Sequence, residues 1–392
     1  MTALDDPIDP YALDRAGLDA LVGRFGEPRY RADQLRAWLI RGVDDPERMT
    51  NLPQSLRSQL RAAFAAARPR LVAHRVADDG HTHKLLLEFA DGEAIETVVM
   101  LYRGRATVCV STQAGCAMGC PFCATGQAGF RRQLTSGEVV RQVVVADAVL
   151  RSGTLGTAAS SDGPTRFRRP VGTPDHITNV VYMGMGEPLA NLEATLGSLA
   201  WLHDPDGFNL SARSITVSTV GLVVGIDRLA ATGLPVTLAV SLHAATDELR
   251  DMLVPINVTH PLAELEDAVG RYRQRTGRRV TIEWCLIGDV NDDLEQADAL
   301  AAVARRWRAH VNVIGMNPTP GVQWKEPTRE RMRAFVDRVD AADVAITVRD
   351  TRGRDADAAC GQLLASYTLG GGARLPAAVG AVERIEARRR PT

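Results

Sequence analysis

From residue 106 to 349 strand-like and helix-like stretches alternate, and this alternation constrains the fold more than any single motif does. Runs rich in β-branched residues fall at 106–111, 176–183, 214–218, 235–242, 279–287, 310–316 and 344–349. Between them, apolar residues recur at helical spacing in 136–150, 191–202, 222–231, 262–275, 294–308 and 329–341. A strand that reaches the next strand through a helix pairs with it in parallel. Repeated βα units therefore imply an α/β fold with a parallel sheet, closed as a barrel or open and doubly wound. Ligands in both architectures sit beyond the carboxyl ends of the strands.

Residues with chemistry gather at those ends. A cysteine loop follows the first strand, Gly184-Met185-Gly186-Glu187-Pro188 the second, Ser218-Thr219 ends the third, Ser241-Leu242-His243 the fourth and Asn317-Pro318 the sixth. A lone Gly-x-Gly-Glu is weak, since tight turns need glycine for backbone reasons. Five such places on one rim point to one ligand site. The cysteine loop reads Cys-Ala-Met-Gly-Cys-Pro-Phe-Cys at 116–123, which puts Cys116, Cys120 and Cys123, three of the chain's six cysteines, within eight residues. A structural zinc would need a fourth ligand, usually from a second Cys or His pair, and no second knuckle follows. Three thiolates on a four-iron cluster leave one iron open. The Cys-x3-Cys-x2-Cys spacing, with Phe122 before the last cysteine, resembles that of the radical S-adenosylmethionine (SAM) enzymes. A zinc knuckle or a chance cluster of buried thiols is the plainer alternative.

A chain of 392 residues with 45% hydrophobic content can bury a large core. Its acidic start, Met-Thr-Ala-Leu-Asp-Asp-Pro, is unlike a basic secretory leader, and no apolar run approaches the ~18 residues of a membrane span. The expectation is a cytoplasmic protein with no membrane partner, whose cysteines serve as ligands or catalysts rather than as a disulfide framework. Residues 1–75 read as a small helical domain, with helical periodicity in 13–25, 30–40 and 56–64. Ten Arg face five Asp or Glu between 24 and 70, a local basic bias suited to RNA phosphates, or equally to a solvated surface. Net charge overall is only -1, so bulk charge advertises no nucleic-acid binder. Residues 76–105 switch to strand periodicity and read as an extension of the barrel, which would occupy 106–350. Residues 152–173, rich in Gly, Ser, Thr and Pro, read as a surface insertion, 351–369 as a segment carrying Cys360, and 370–392 as a disordered tail.

Four runs carry a closer resemblance. Arg105-Ala-Thr-Val-Cys-Val-Ser111 leads into the cluster loop, and Met183-Gly-Met-Gly-Glu-Pro188, Ser241-Leu-His-Ala244 and Asp357-Ala-Ala-Cys-Gly-Gln362 follow it. From about residue 20 to 368 the chain resembles the RlmN family of dual-specificity ribosomal and transfer RNA adenine-C2 methyltransferases, with its C8-methylating Cfr-type relatives. The resemblance implies a partial (β/α)6 radical SAM barrel behind an N-terminal helical RNA-docking domain. Implied too are a [4Fe-4S] cluster on Cys116, Cys120 and Cys123, two SAM per turnover, and 23S rRNA and tRNA as partners, with adenine 2503 and adenine 37 as targets. An electron donor such as flavodoxin or ferredoxin and a monomeric state belong to the same expectation.

Adenine C2 is neither nucleophilic nor appreciably acidic, so direct transfer from the sulfonium fails and radical chemistry is needed. The resemblance implies that Cys360 is methylated first and then joined to C2 through a methylene radical. Glu96 would remove the C2 proton, and Cys109 would attack the Cys360 sulfur, leaving a disulfide. Gly186, Glu187, Ser218, Ser241, Leu242, His243 and Asn317 match the family's SAM contacts, with Glu187 suited to the amino group. Each role has a plainer alternative: Glu96 as an exposed strand carboxylate, Cys360 as a small buried residue, Cys109 as a strand filler and His243 as a packing residue. Cys285, in mid-strand, reads as a buried small hydrophobe. Two other functions stay open, a Cfr-type C8 methyltransferase and a non-catalytic iron–sulfur or zinc RNA-binding protein.

Overall fold

The computed structural model describes residues 8–64, 68–152, 170–317, 319 and 322–349. Three helices come first: α1 (Arg15–Arg24), α2 (Tyr30–Ile40) and α3 (Gln54–Phe64). The carboxylate of Asp14 caps α1 by accepting from the Gly17 N–H at 2.7 Å, which satisfies one of the donors a helix start leaves open. In α3 the buried Leu56, Leu60, Ala63 and Phe64 recur along one face, the spacing that packs a surface helix onto a core. With Leu18, Leu21, Leu35 and Leu39 they form one apolar cluster that closes over Val140, Val144 and Trp201.

An antiparallel meander follows, made of β1 (Arg70–Ala77), β2 (Thr82–Glu88), β3 (Ala94–Tyr102) and β4 (Arg105–Cys109). Helix was expected as far as residue 75. Helix α3 is described as far as Phe64, and a strand begins at Arg70. β1 is an edge strand whose exposed and half-buried residues break the alternation that marks a strand in sequence.

Beyond β4 come the short hairpin of β5 (Gln113–Gly115) and β6 (Phe130–Gln133), with α4 (Ala124–Ala128) between them, and then α5 (Ser136–Ser152). The remaining elements are β7 (Asn179–Tyr182), α6 (Leu192–His203), β8 (Ile215–Thr219), α7 (Val223–Ala231), β9 (Thr237–Ser241), α8 (Asp247–Leu253), α9 (Leu262–Thr276), β10 (Thr281–Leu286), α10 (Leu294–Trp307), β11 (His310–Gly315), α11 (Arg329–Asp340) and β12 (Ile346–Val348). The sheet order is β1-β2-β3-β4-β7-β8-β9-β10-β11-β12, parallel at every pairing from β4 onward. Six strands, β4 and β7 to β11, make the partial (β/α)6 barrel, and β12 adds a further parallel edge. Among the described residues β1 and β12 do not pair with each other, so the barrel is open. Helix α8 and the β5–β6 hairpin carry too few residues to show a period and were not anticipated. Of the insertion expected at 152–173, residues 153–169 lie outside the described residues, as do Cys360 with its segment and the tail.

Candidate active site

Strand β4 runs straight into the cysteine loop, and the loop's shape is set by close backbone approaches. Gly115 has φ +76°, and a Cβ there would lie 1.9 Å from the Gly129 carbonyl oxygen, so only glycine fits. The Cys116 N–H donates to that same oxygen at 3.0 Å, and the Cys123 N–H donates to the Cys120 carbonyl at 3.1 Å. Gln127 Nε2 ties the Pro121 carbonyl at 3.0 Å.

The three loop thiols line a cavity of about 420 Å³ inside the barrel. Burial pushes all three upward: Cys116 to about 12, Cys120 well above the ordinary thiol and Cys123 in the same direction. Three buried thiols of this kind become ligands only when a cation favours their thiolates. No three His, Cys, Asp or Glu side chains among the described residues converge tightly enough to chelate one ion. A lone zinc needs its ligands converged at about 2.0–2.3 Å, whereas a four-iron cluster offers each thiolate a different iron. The donor set and the open cavity beside it fit the cluster.

The other rim residues meet around the same cavity. Gly186 has φ +98°, and a Cβ there would strike Gln113 at 2.5 Å. That approach lets the Glu187 N–H donate to Gln113 Oε1 at 2.9 Å. The Glu187 carboxylate accepts from the N–H groups of Val220 (2.8 Å) and Leu189 (3.0 Å), yet burial still raises its pKa to about 7. Ser218 and Ser241 Oγ stand 3.4 Å apart on neighbouring strands. His243 is held at φ +59°, a conformation that costs a non-glycine residue about 1–3 kcal/mol. Asn291 Nδ2 bonds to its carbonyl at 2.8 Å, and its Nδ1 accepts from the Cys285 N–H at 2.9 Å. The proton therefore sits on Nε2, and burial lowers the pKa to about 3, so the ring is neutral. Its edge meets Phe122 of the cysteine loop at 4.9 Å.

Gly186, Glu187, Ser218, Ser241, His243 and Asn317 all line the cavity. Leu242 does not. Strand alternation turns it into the core, where it is 0% exposed and only its backbone serves the site. Its carbonyl accepts from Nε of Arg250, a fully buried cation that also binds the carbonyls of Val220 (2.5 Å) and Ser241 (3.3 Å) and so clamps two strand ends together.

Cys109 lines the cavity opposite Val98 of β3. Glu96 lies two residues along the same face of β3 and is 2% exposed, so it is not an exposed strand carboxylate. Cys285 departs from its reading as filler: half-buried, it lines the cavity with its Sγ 3.8 Å from Met316 Sδ. Glu283 and Arg349 line the cavity as well and pair at 3.3 Å, with Asn312 Nδ2 on Glu283 at 2.8 Å. A Glu inside the apolar run Ile282-Glu283-Trp284 was the sequence signal for that network, whereas Arg349 on the edge had none.

Residues 9–65 match the family model described as the ribosomal RNA large subunit methyltransferase N-terminal domain. The chain is 51% identical over 361 residues, 90% of each chain, to a probable dual-specificity RNA methyltransferase RlmN from Parafrankia sp. (strain EAN1pec). It is 47% identical over 357 residues to the protein of the same description from Salinispora tropica, covering 90% of this chain and 92% of that one. A crystal structure of a radical SAM methyltransferase from Sphaerobacter thermophilus superposes with a TM-score of 0.83 at 45% identity, over 92% of this chain and 100% of that one.

Proposed function

This chain belongs to the RlmN family of radical SAM RNA methyltransferases, and from that premise we propose that it methylates C2 of an adenine in 23S rRNA and in tRNA by way of an S-methylated Cys360. The observation that carries the reading is that Cys109 and the three loop thiols line one cavity, with Glu96 further along the same face of the sheet. Bound to Cys116, Cys120 and Cys123, a four-iron cluster with SAM supplies one-electron chemistry able to act on an otherwise unreactive carbon. Gly186 leaves room at the rim, and the Glu187 carboxylate suits an ammonium group. Ser218, Ser241, the neutral His243 and Asn317 offer hydrogen-bonding groups to the remainder of SAM.

Glu96 accepts the C2 proton once the base is joined to Cys360. Cys109 then attacks the Cys360 sulfur, which breaks the bond between that sulfur and the methylene carbon and leaves a disulfide. The carbon takes a proton to become the methyl group. The helical unit at the N-terminus docks the RNA, a flavodoxin- or ferredoxin-type protein supplies electrons, two SAM are used per turnover, and the enzyme acts as a monomer.

Mass analysis of nucleosides from a deletion strain tests the reading. Loss of 2-methyladenosine from ribosomal and transfer RNA, restored by the gene, supports it. Loss of 8-methyladenosine instead assigns the Cfr-type reaction, and no change in either would leave a non-catalytic RNA-binding protein.

A further inference from the structure

We propose that Lys84 is a positioning residue for proton removal, its ammonium holding Glu96 as an ionised carboxylate until the C2 proton arrives. The inference rests on Glu96 being the base, as assigned above. Lys84 stands opposite Val98 and Leu86 stands opposite Glu96, so Lys84 and Glu96 are diagonal neighbours on the interior face of the meander. Lys84 Nζ lies 3.0 Å from Glu96 Oε1, with the two side chains only 5% and 3% exposed. An isolated carboxyl this deeply buried would keep its proton, because desolvation penalises the charged form, and a protonated carboxyl cannot serve as the base for a further proton. The backbone at Glu96 is pinned as well, since Ser111 Oγ donates to its carbonyl at 2.7 Å and its N–H points at Met185 Sδ at 3.4 Å.

The choice of cation supports the assignment. Lys and Arg number 46 in this chain, and all are Arg except Lys84 and the exposed Lys325. A guanidinium fork tends to engage both carboxylate oxygens, which opposes protonation at either of them. An ammonium is a compact point charge that neutralises the carboxylate through one oxygen. Other charged or titratable groups facing the pair among the described residues are few. Arg75 on β1 is opposite Lys84 and exposed, Cys109 is on β4, and the Arg70–Glu88 pair lies at the far end of β1 and β2. His83 alternates onto the other face, where it meets His74 at 3.0 Å. Thr97, on that same other face, bonds to the uncharged Gln142 of α5.

The proposed step is a proton transfer alone. The C2–H bond breaks, its proton passes to the Glu96 carboxylate, and its electron pair stays on the base. The test follows decay of the protein–RNA adduct on denaturing gels in single turnovers of the cluster-loaded enzyme, across a pH series, for wild type, Lys84→Met, Lys84→Gln and Lys84→Arg. Lys84→Met should move the acidic limb of the decay profile up by at least one pH unit, about a tenfold slower decay at a fixed pH below it. Lys84→Gln, which keeps a donor without charge, should move it the same way and stands in if the Met variant fails to load iron. Lys84→Arg should leave the limb at or below its wild-type position, with slower decay throughout. Wild-type profiles in both neutral variants would overturn the role of Lys84. Glu96→Gln separates the two ideas: if it traps adduct while the neutral variants behave as wild type, only the Lys84 proposal falls. If it turns over normally, Glu96 is not the base and both fall.

Discussion

Cys109→Ala distinguishes a resolving thiol from a strand filler. Once Cys360 is joined to the base, a carbon–sulfur bond remains that solution thiols attack slowly, since unactivated thiols are only a few per cent thiolate at neutral pH. Cys109 lines the cavity and is 8% exposed, so its removal should leave a slow-migrating protein–RNA band that collapses on ribonuclease digestion. Normal turnover with no such band would remove it from the mechanism. Glu187 makes a second residue-scale prediction. Burial raises its folded pKa to about 7 from an ordinary 4.5, so the folded state binds the extra proton in between. The stability that proton brings is present below about pH 4.5 and is lost as pH rises through about 7. A bound ammonium favours the ionised form, so the SAM dissociation constant should rise by up to about fivefold between pH 7 and 6. Glu187→Gln should flatten that dependence in equilibrium dialysis; an unaltered slope would place the SAM amino group elsewhere.

At the scale of elements, the helical unit and the barrel meet through a buried charge. Arg141 on α5 donates from Nε to Asp9 at 3.0 Å and from Nη1 to Asp44 at 2.7 Å, with its side chain only 3% exposed, and it stacks on Tyr11 at 5.1 Å. Nearby, Trp201 Nε1 donates to the Leu13 carbonyl at 2.9 Å. Taking one partner from a buried ion network strands the others, a loss of roughly 3–5 kcal/mol. Arg141→Met should therefore lower the unfolding free energy read from urea titration by about that amount, moving the midpoint down, and expose α1 to α3 to protease. An unchanged midpoint would show that the apolar cluster alone holds the junction. The helices themselves were legible because their apolar residues repeat along one face. β1 was not, because an edge strand answers to its neighbour's hydrogen bonds more than to its own pattern.

Across the whole molecule, charge distribution changes what RNA binding should look like. Of the ten Arg between 24 and 70, seven pair with Asp or Glu: Arg29, Arg31, Arg36, Arg57, Arg61, Arg68 and Arg70. Arg24, Arg41 and Arg48 are exposed and form no ion pair among the described residues. Three phosphate contacts predict that affinity falls roughly 20- to 40-fold between 50 and 200 mM salt. Replacing the three by Gln should remove that part of the salt dependence; an unchanged slope would move the docking surface off the helical unit.

Periodicity and the βα alternation were enough to define a parallel α/β sheet, and the spacing of Cys116, Cys120 and Cys123 marked a cysteine loop on its carboxyl rim. That the sheet is an open barrel was implied only by the family resemblance and is seen in the strand order. Periodicity and spacing are properties of neighbours in the chain, where side-chain direction follows from backbone geometry alone. Burial and pairing are not local. That Glu96 is enclosed against Lys84, that Cys285 faces the cavity, that Leu242 turns away from it and that Arg250 clamps two strand ends were decided only when distant segments packed together. Each of those outcomes depends on which groups lose water and which partners replace it, and no stretch of sequence holds both halves of that exchange.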